Sequence, residues 1–127
     1  MQRILSVLVV VLAVLLAVGT LVACGEGVND ERAIEDTIEG YVETYNSQDF
    51  VQCLTYFSDY GNEADALAFL AYMRSISGEL ELVEVKDILI SYTTASATVV
   101  FIISGEESTD QMQLRQVNSK WKIVWGG

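Results

Sequence analysis

The chain has no proline and no histidine, and only two cysteines. It carries seven lysines and arginines against eighteen acids in 127 residues. Without histidine it cannot build a histidine-based triad, a histidine general base or a histidine metal site. The missing proline leaves nothing to interrupt a strand. Scarce cations exclude nucleic acid as a partner, because phosphates need positive charge to displace their counterions. Anionic headgroups are repelled for the same reason, so any hold on a membrane must come from an anchor. Solubility is the simplest use of the net charge of −11. No metal and no cofactor are expected. Glu31, Glu35, Glu39 and Glu43 recur four apart without a second ligand type, as on a solvated helix face. Residues 59–70 fail as a calcium loop, with Ala64 where glycine is required and Leu70 where a bidentate glutamate is required.

What the chain does have is an apolar leader. Arg3 is the only charge in residues 1–23, and Ile4 to Val18 is broken only by Ser6. Gly19 and Thr20 loosen the run before Leu21-Val22-Ala23-Cys24. That tetrapeptide resembles a bacterial lipobox, in which a signal peptidase cuts before the cysteine and the cysteine carries lipid. The expected organisation is a signal peptide over 1–23, a tether over 24–29 and one domain over 30–127. The resemblance implies a membrane anchor through lipid on Cys24, with two or more acyl chains needed for a firm hold. The alternative is a retained transmembrane helix, since Ile4 to Ala23 offers about 20 residues, enough to span. Against it, no basic cluster follows, and the next charges are Glu26 and Asp30. Either way the domain faces outward, at the cell surface or periplasmic face. With Cys24 lipidated, Cys53 has no partner and reads as a small buried group beside Leu54 and Phe57.

Within the domain, Asn29 or Asp30 is expected to cap a first helix whose apolar face is Ile34, Ile38, Tyr41, Val42 and Tyr45. Asn46 is its expected left-handed stop. Asp49 and Gln52 suit a capping box opening a short second helix that buries Phe50, Leu54 and Phe57. After the turn Asp59-Tyr60-Gly61, Asn62 caps a third helix that Gly78 ends. From Glu79 the period becomes two. A parity change near Leu82-Val83 predicts a bulge. Thr93-Thr94 is a turn, and Ala95, Ala97, Val99, Phe101 and Ile103 line one face of the next strand. Gly105-Glu106-Glu107-Ser108 reads as a loop, Met112 and Leu114 as an inward pair, and Asn118-Ser119 as a tight hairpin turn. Trp121, Ile123 and Trp125 form the last apolar row, expected in the core. The order is α+β: N-terminal helices packed on a curved four-stranded antiparallel sheet. Apolar residues on both faces of the second strand suggest that one face packs on the helices and the other serves a homodimer.

Tyr45-Asn46-Ser47-Gln48-Asp49-Phe50 and Trp121-Lys122-Ile123-Val124 carry a resemblance to the nuclear transport factor 2-like superfamily, also called SnoaL-like or cystatin-like cones. The resemblance spans about residues 30–125. It implies a curved sheet wrapped around a long helix, a cavity at the wide end, and dimers through the sheet in many members. The fold hosts enzymes, binders and assembly modules, so it does not decide function.

In such a cone Tyr41, Tyr45, Tyr56, Tyr60 and Tyr72 offer apolar rings with hydroxyl tips to a pocket. Arg115, opposite in parity to Leu114, offers a bidentate cation for an anionic ligand. The expected function is a lipid-anchored, non-catalytic binding or protein-interaction module, with a small apolar ligand or an envelope protein as partner. The alternative is a small isomerase or dehydratase of ketosteroid isomerase type. Its base would be Asp87, the one acid inside an otherwise apolar strand.

Overall fold

The computed structural model describes residues 29–125, and residues from Ala33 onward form one compact unit. Every buried core residue lies in that unit, from Ile34 to Ile123, so it has the means to fold by itself. The leader, Cys24 and the tether before Asn29 lie outside the described residues. Among the described residues no helix is long and apolar enough to cross a membrane.

Helix α1 covers residues 29–46. Asn29 and Asp30 are already helical, so neither is a non-helical cap. Ile34, Ile38, Val42 and Tyr45 are buried at helical spacing, while Glu31, Glu39 and Glu43 are exposed. Thr37 is buried on the same side, and its hydroxyl donates to the carbonyl of Ala33 (2.9 Å) or Trp121 (3.1 Å), joining helix to sheet. Asn46 stays helical, and the left-handed residue is Gln48, at φ 62°. The Asn46 amide is used elsewhere: it donates to Leu80 O at 2.7 Å and accepts from Leu80 N at 2.8 Å.

Helix α2, Phe50–Leu54, is capped by Asp49, whose carboxylate accepts from Gln52 N at 3.3 Å. The expected box is only half made. The Asp49 N–H already donates to Thr44 O, and the Gln52 amide turns to Thr55 instead. Phe57 is not part of this helix. It opens strand β1, Phe57–Ser58, held by Ile123 N–H donating to Tyr56 O at 2.8 Å. Helix α3, Glu63–Ser77, matches its end signals: Asn62 Oδ1 accepts from Ala64 N and Asp65 N, and Gly78 closes it at φ 69°.

Strands β2 (Leu80–Ser91), β3 (Thr94–Ile103), β4 (Glu106–Val117) and β5 (Lys120–Val124) form the antiparallel meander. The sheet has five strands rather than four, in the order β1-β5-β4-β3-β2, because β1 adds in parallel to β5. The last hairpin turn is at Asn118-Ser119 as expected, and the first two sit slightly off the expected positions. Tyr92 turns the first at φ 55° and is fully in solvent. Ser104 and Gly105, both at positive φ, turn the second, so Glu106 to Ser108 belong to β4 rather than to a loop.

β2 breaks register twice, between Leu82 and Glu84 and between Lys86 and Leu89. Such bulges bend the strand, raise its twist and blunt an exposed edge. The sheet's outer face is not a bare apolar surface. Val100 and Thr98 are buried there beside long polar neighbours: Gln111 donates to Thr98 at 2.7 Å, and Glu84 pairs with Lys86 at 3.9 Å.

Candidate functional site

Cross-strand pairing sets the inner face of the sheet. Ala95, Ala97, Val99 and Phe101 of β3 stand beside Leu114, Met112, Asp110 and Ser108 of β4. Directly paired residues project to the same side, so these eight share one surface. The β3 row is buried throughout. Along β4, Leu114 and Met112 are buried, whereas Asp110 and Ser108 are exposed. The row therefore rises out of the core into an open cavity of about 680 Å³. That volume is in the range of small-molecule sites.

Helix α3 supplies the facing wall with Ala66, Phe69, Leu70 and Met73, one helical stripe, and adds Asp65 and Ser77 at the edge. Tyr41 and Tyr45 come from α1, Phe57 from β1, and Trp125 follows β5. These rings make a continuous chain. Tyr45 meets Tyr41 at 5.9 Å, Tyr41 meets Phe57 at 5.0 Å, Phe57 meets Trp125 at 5.1 Å and Trp125 meets Phe69 at 5.4 Å. The last three contacts are edge to face, the arrangement that the ring quadrupole favours. Phe69 is half exposed and stands at the mouth.

Burial acts on two phenols of the cavity and on the thiol behind them. Burial pushes the Tyr41 phenol far up, with the charges of Cys53, Tyr45 and Asp110 adding to it. Burial raises Tyr45 too, and Arg74 partly offsets this. Both phenols therefore keep their protons at neutral pH. Burial likewise raises the thiol of Cys53, which is fully buried and makes a long contact of 3.9 Å to Tyr41 O. Among the described residues no lysine or arginine lines the cavity. Arg74 pairs with Glu79 at 3.5 Å, Lys86 with Glu84, and Lys122 reaches Thr55 O. Among the described residues no group of three or more histidine, cysteine or acidic side chains could hold a metal ion.

The structure brings together Tyr41, Tyr45 and Tyr60 of the five candidate tyrosines. Tyr56 is turned against Gly40, and Tyr72 lies on the exposed side of α3. Arg115 is on the outer side of β4, forms an exposed ion pair with Asp59 at 2.5 Å and does not line the cavity. Asp87 is exposed at the second bulge, at φ 50°, and does not line the cavity. The bulge takes it off the inner row, so the isomerase alternative loses its base. Trp121 is core, but Trp125 lines the cavity. Sequence reasoning missed Phe57, Phe69, Asp65 and Asp110. Asp110 alone left a signal, since it shares the parity of Met112 and Leu114.

Helices packed on one face of a curved five-stranded sheet, with a cavity between α3 and the sheet, are the decisive arrangement. The chain has the nuclear transport factor 2-like fold. A protein of unknown function from Mycobacterium tuberculosis superposes with a TM-score of 0.61 at 13% identity, over 78% of this chain and 70% of that one. A nuclear transport factor 2-like protein of unknown function from Shewanella oneidensis superposes with a TM-score of 0.54 at 18% identity, over 75% and 95%. A de novo designed protein with a curved β-sheet gives 0.52 at 14% identity, over 71% and 92%. No protein-family model and no curated protein matches the sequence. At these identities the likeness is one of fold, and function must be argued from the nuclear transport factor 2-like cavity itself.

Proposed function

We propose that the protein is a lipid-anchored, non-catalytic binding module on the outer face of the cytoplasmic membrane, whose cone cavity holds a small apolar ligand. The carrying observation is the open cavity of about 680 Å³ walled by the chain of rings from Tyr45 to Phe69. Such a wall offers large apolar area that is already ordered, so a ligand gains burial at little cost in side-chain entropy. Support for the anchor is the apolar run that ends in Leu21-Val22-Ala23-Cys24.

Native mass spectrometry of residues 25–127 tests the cavity. A small-molecule adduct that is lost on unfolding is expected. A clean mass, together with no uptake of any apolar probe, overturns the ligand reading. The same spectrum reports whether copies associate. Membrane fractionation of Cys24→Ala tests the anchor: release from the membrane is expected, and unchanged retention points to a true span.

A further inference from the structure

The cavity wall is chemically one-sided. Its depth is aromatic, its rim carries the two carboxylates of Asp65 and Asp110, and among the described residues no lysine or arginine lines it; Arg74 acts on Tyr45 from outside the lining and pairs with Glu79. Asp110 is the informative one. It pairs with Val99, which is fully buried, and it precedes Met112 on the inner row. An aliphatic side chain there would extend the apolar row and bury more surface. An acid at such a position gives up that stability, and departures of this kind concentrate where a site has a use for the group. Asp65 lines the cavity from the other wall, in the first turn of α3.

We propose that the ligand is an organic monocation with an apolar body, the body lying on the Phe57, Trp125 and Phe69 rings and the cationic end held by Asp110 and Asp65. This rests on the cavity being a ligand site, as argued above. Three features of the wall select that chemistry. An anion would meet two carboxylates in the lining, and the one cation that acts on the lining, Arg74, is already paired with Glu79. A neutral apolar ligand would leave the carboxylates unused beside it. A cation is attracted both by the carboxylates and by the faces of the surrounding rings, whose quadrupoles present negative charge. The chain's net charge of −11 adds long-range attraction, raising the encounter rate of cations above that of neutral molecules.

The test uses three shape-matched probes: naphthalen-1-ylmethylamine, naphthalen-1-ylmethanol and naphthalene-1-acetate. Each is titrated calorimetrically into residues 25–127 at neutral pH and low salt. The amine is expected to bind about tenfold or more tighter than the alcohol, and the acetate more weakly than either. In Asp110→Asn the amine should fall to near the alcohol's affinity, while the alcohol still binds. That retained binding separates loss of charge recognition from loss of fold. Asp65→Asn should lower the amine's preference by a smaller factor. If the alcohol binds as tightly as the amine, or if the preference survives both substitutions, the cation inference is overturned and the apolar pocket stands. If none of the three binds, the cavity's role as a ligand site falls with it.

Discussion

Replacing Asn46 with alanine should be among the most damaging single changes in the domain, although its side chain is polar and only half buried. The amide makes both hydrogen bonds of a ladder partner with one residue, donating to Leu80 O at 2.7 Å and accepting from Leu80 N at 2.8 Å. Leu80 is itself buried, at the first position of β2. Asn46→Ala therefore strands a backbone donor and a backbone acceptor together. A buried polar group without a partner costs about 1–3 kcal/mol, and some water can reach this pair, so a loss of about 2–3 kcal/mol is expected. For a domain of this size that is a sizeable part of a total of about 5–15 kcal/mol, and it lowers Tm by roughly 10–20 °C. Urea unfolding, with the midpoint read at unchanged slope, measures it.

Asn46→Asp sharpens the test. It keeps the acceptor for Leu80 N–H but faces the Leu80 carbonyl with an oxygen, so at neutral pH it should be no more stable than the alanine variant. Protonation would restore a donor. The carboxyl at this site is easier to protonate in the folded chain than in the unfolded one. Its contribution is thus present below the ordinary carboxyl range, about pH 4, and is lost as pH rises through the folded value. A loss under about 0.5 kcal/mol in Asn46→Ala, or an Asn46→Asp variant as stable as the parent at neutral pH, would refute the reasoning.

Gly40→Ala sets helix propensity against space. Alanine should gain about 1 kcal/mol in a helix interior. Its Cβ, however, would lie 2.4 Å from the Tyr56 ring, so the ring must move and the variant should lose about 1–2 kcal/mol net. In a Tyr56→Leu background the same change should turn neutral or stabilising, and a double-mutant cycle by urea unfolding checks this. Tyr41 makes the fold sensitive to alkali. Its folded phenol is raised above the unfolded value of about 10, so its contribution is complete below that pH and declines as pH rises beyond it. Tyrosinate absorbance should show Tyr41 ionising only together with the loss of tertiary structure, and titration within the native state would contradict its burial.

Much of the architecture was legible because it is written in local chemistry. Asn62 and Gly78 bracket α3, and Asn118 and Ser119 turn the last hairpin at φ 53° and 65°. The errors lie where a residue's partner is remote. Asn46 follows a helical run and has the composition of a left-handed stop. Its partner is Leu80, 34 residues on, and the left-handed conformation passes to Gln48. Phe57 sits at a plausible helical spacing from Leu54, but its backbone neighbour is Ile123. Asp87 reads as the one acid inside an otherwise apolar strand, which makes it a candidate for burial. The second register break, which nothing in Lys86-Asp87-Ile88 announces, turns it to solvent.

The cavity itself was half legible, for a physical reason. Helical spacing on α1 and α3 marks an apolar face, but the same spacing serves a face that packs and a face that lines an opening. What separates the two is the opposite wall. Glu106, Glu107 and Ser108 have the composition of a loop, and that composition conceals the strand. The tight turn at Ser104 and Gly105 brings all three back into register with β3. Asp110 then becomes an inward residue instead of a loop neighbour. Once it is inward, it accounts for the opening. Packing α3 down onto the β4 row would bury the carboxylate without a cation to pair with it, at a cost of several kcal/mol. The helix and the sheet can close around Leu114 and Met112 but not beyond them. Burial ends where the β4 row turns from Met112 to Asp110, and from there outward the row lines the cavity that Phe57, Trp125 and Phe69 also wall.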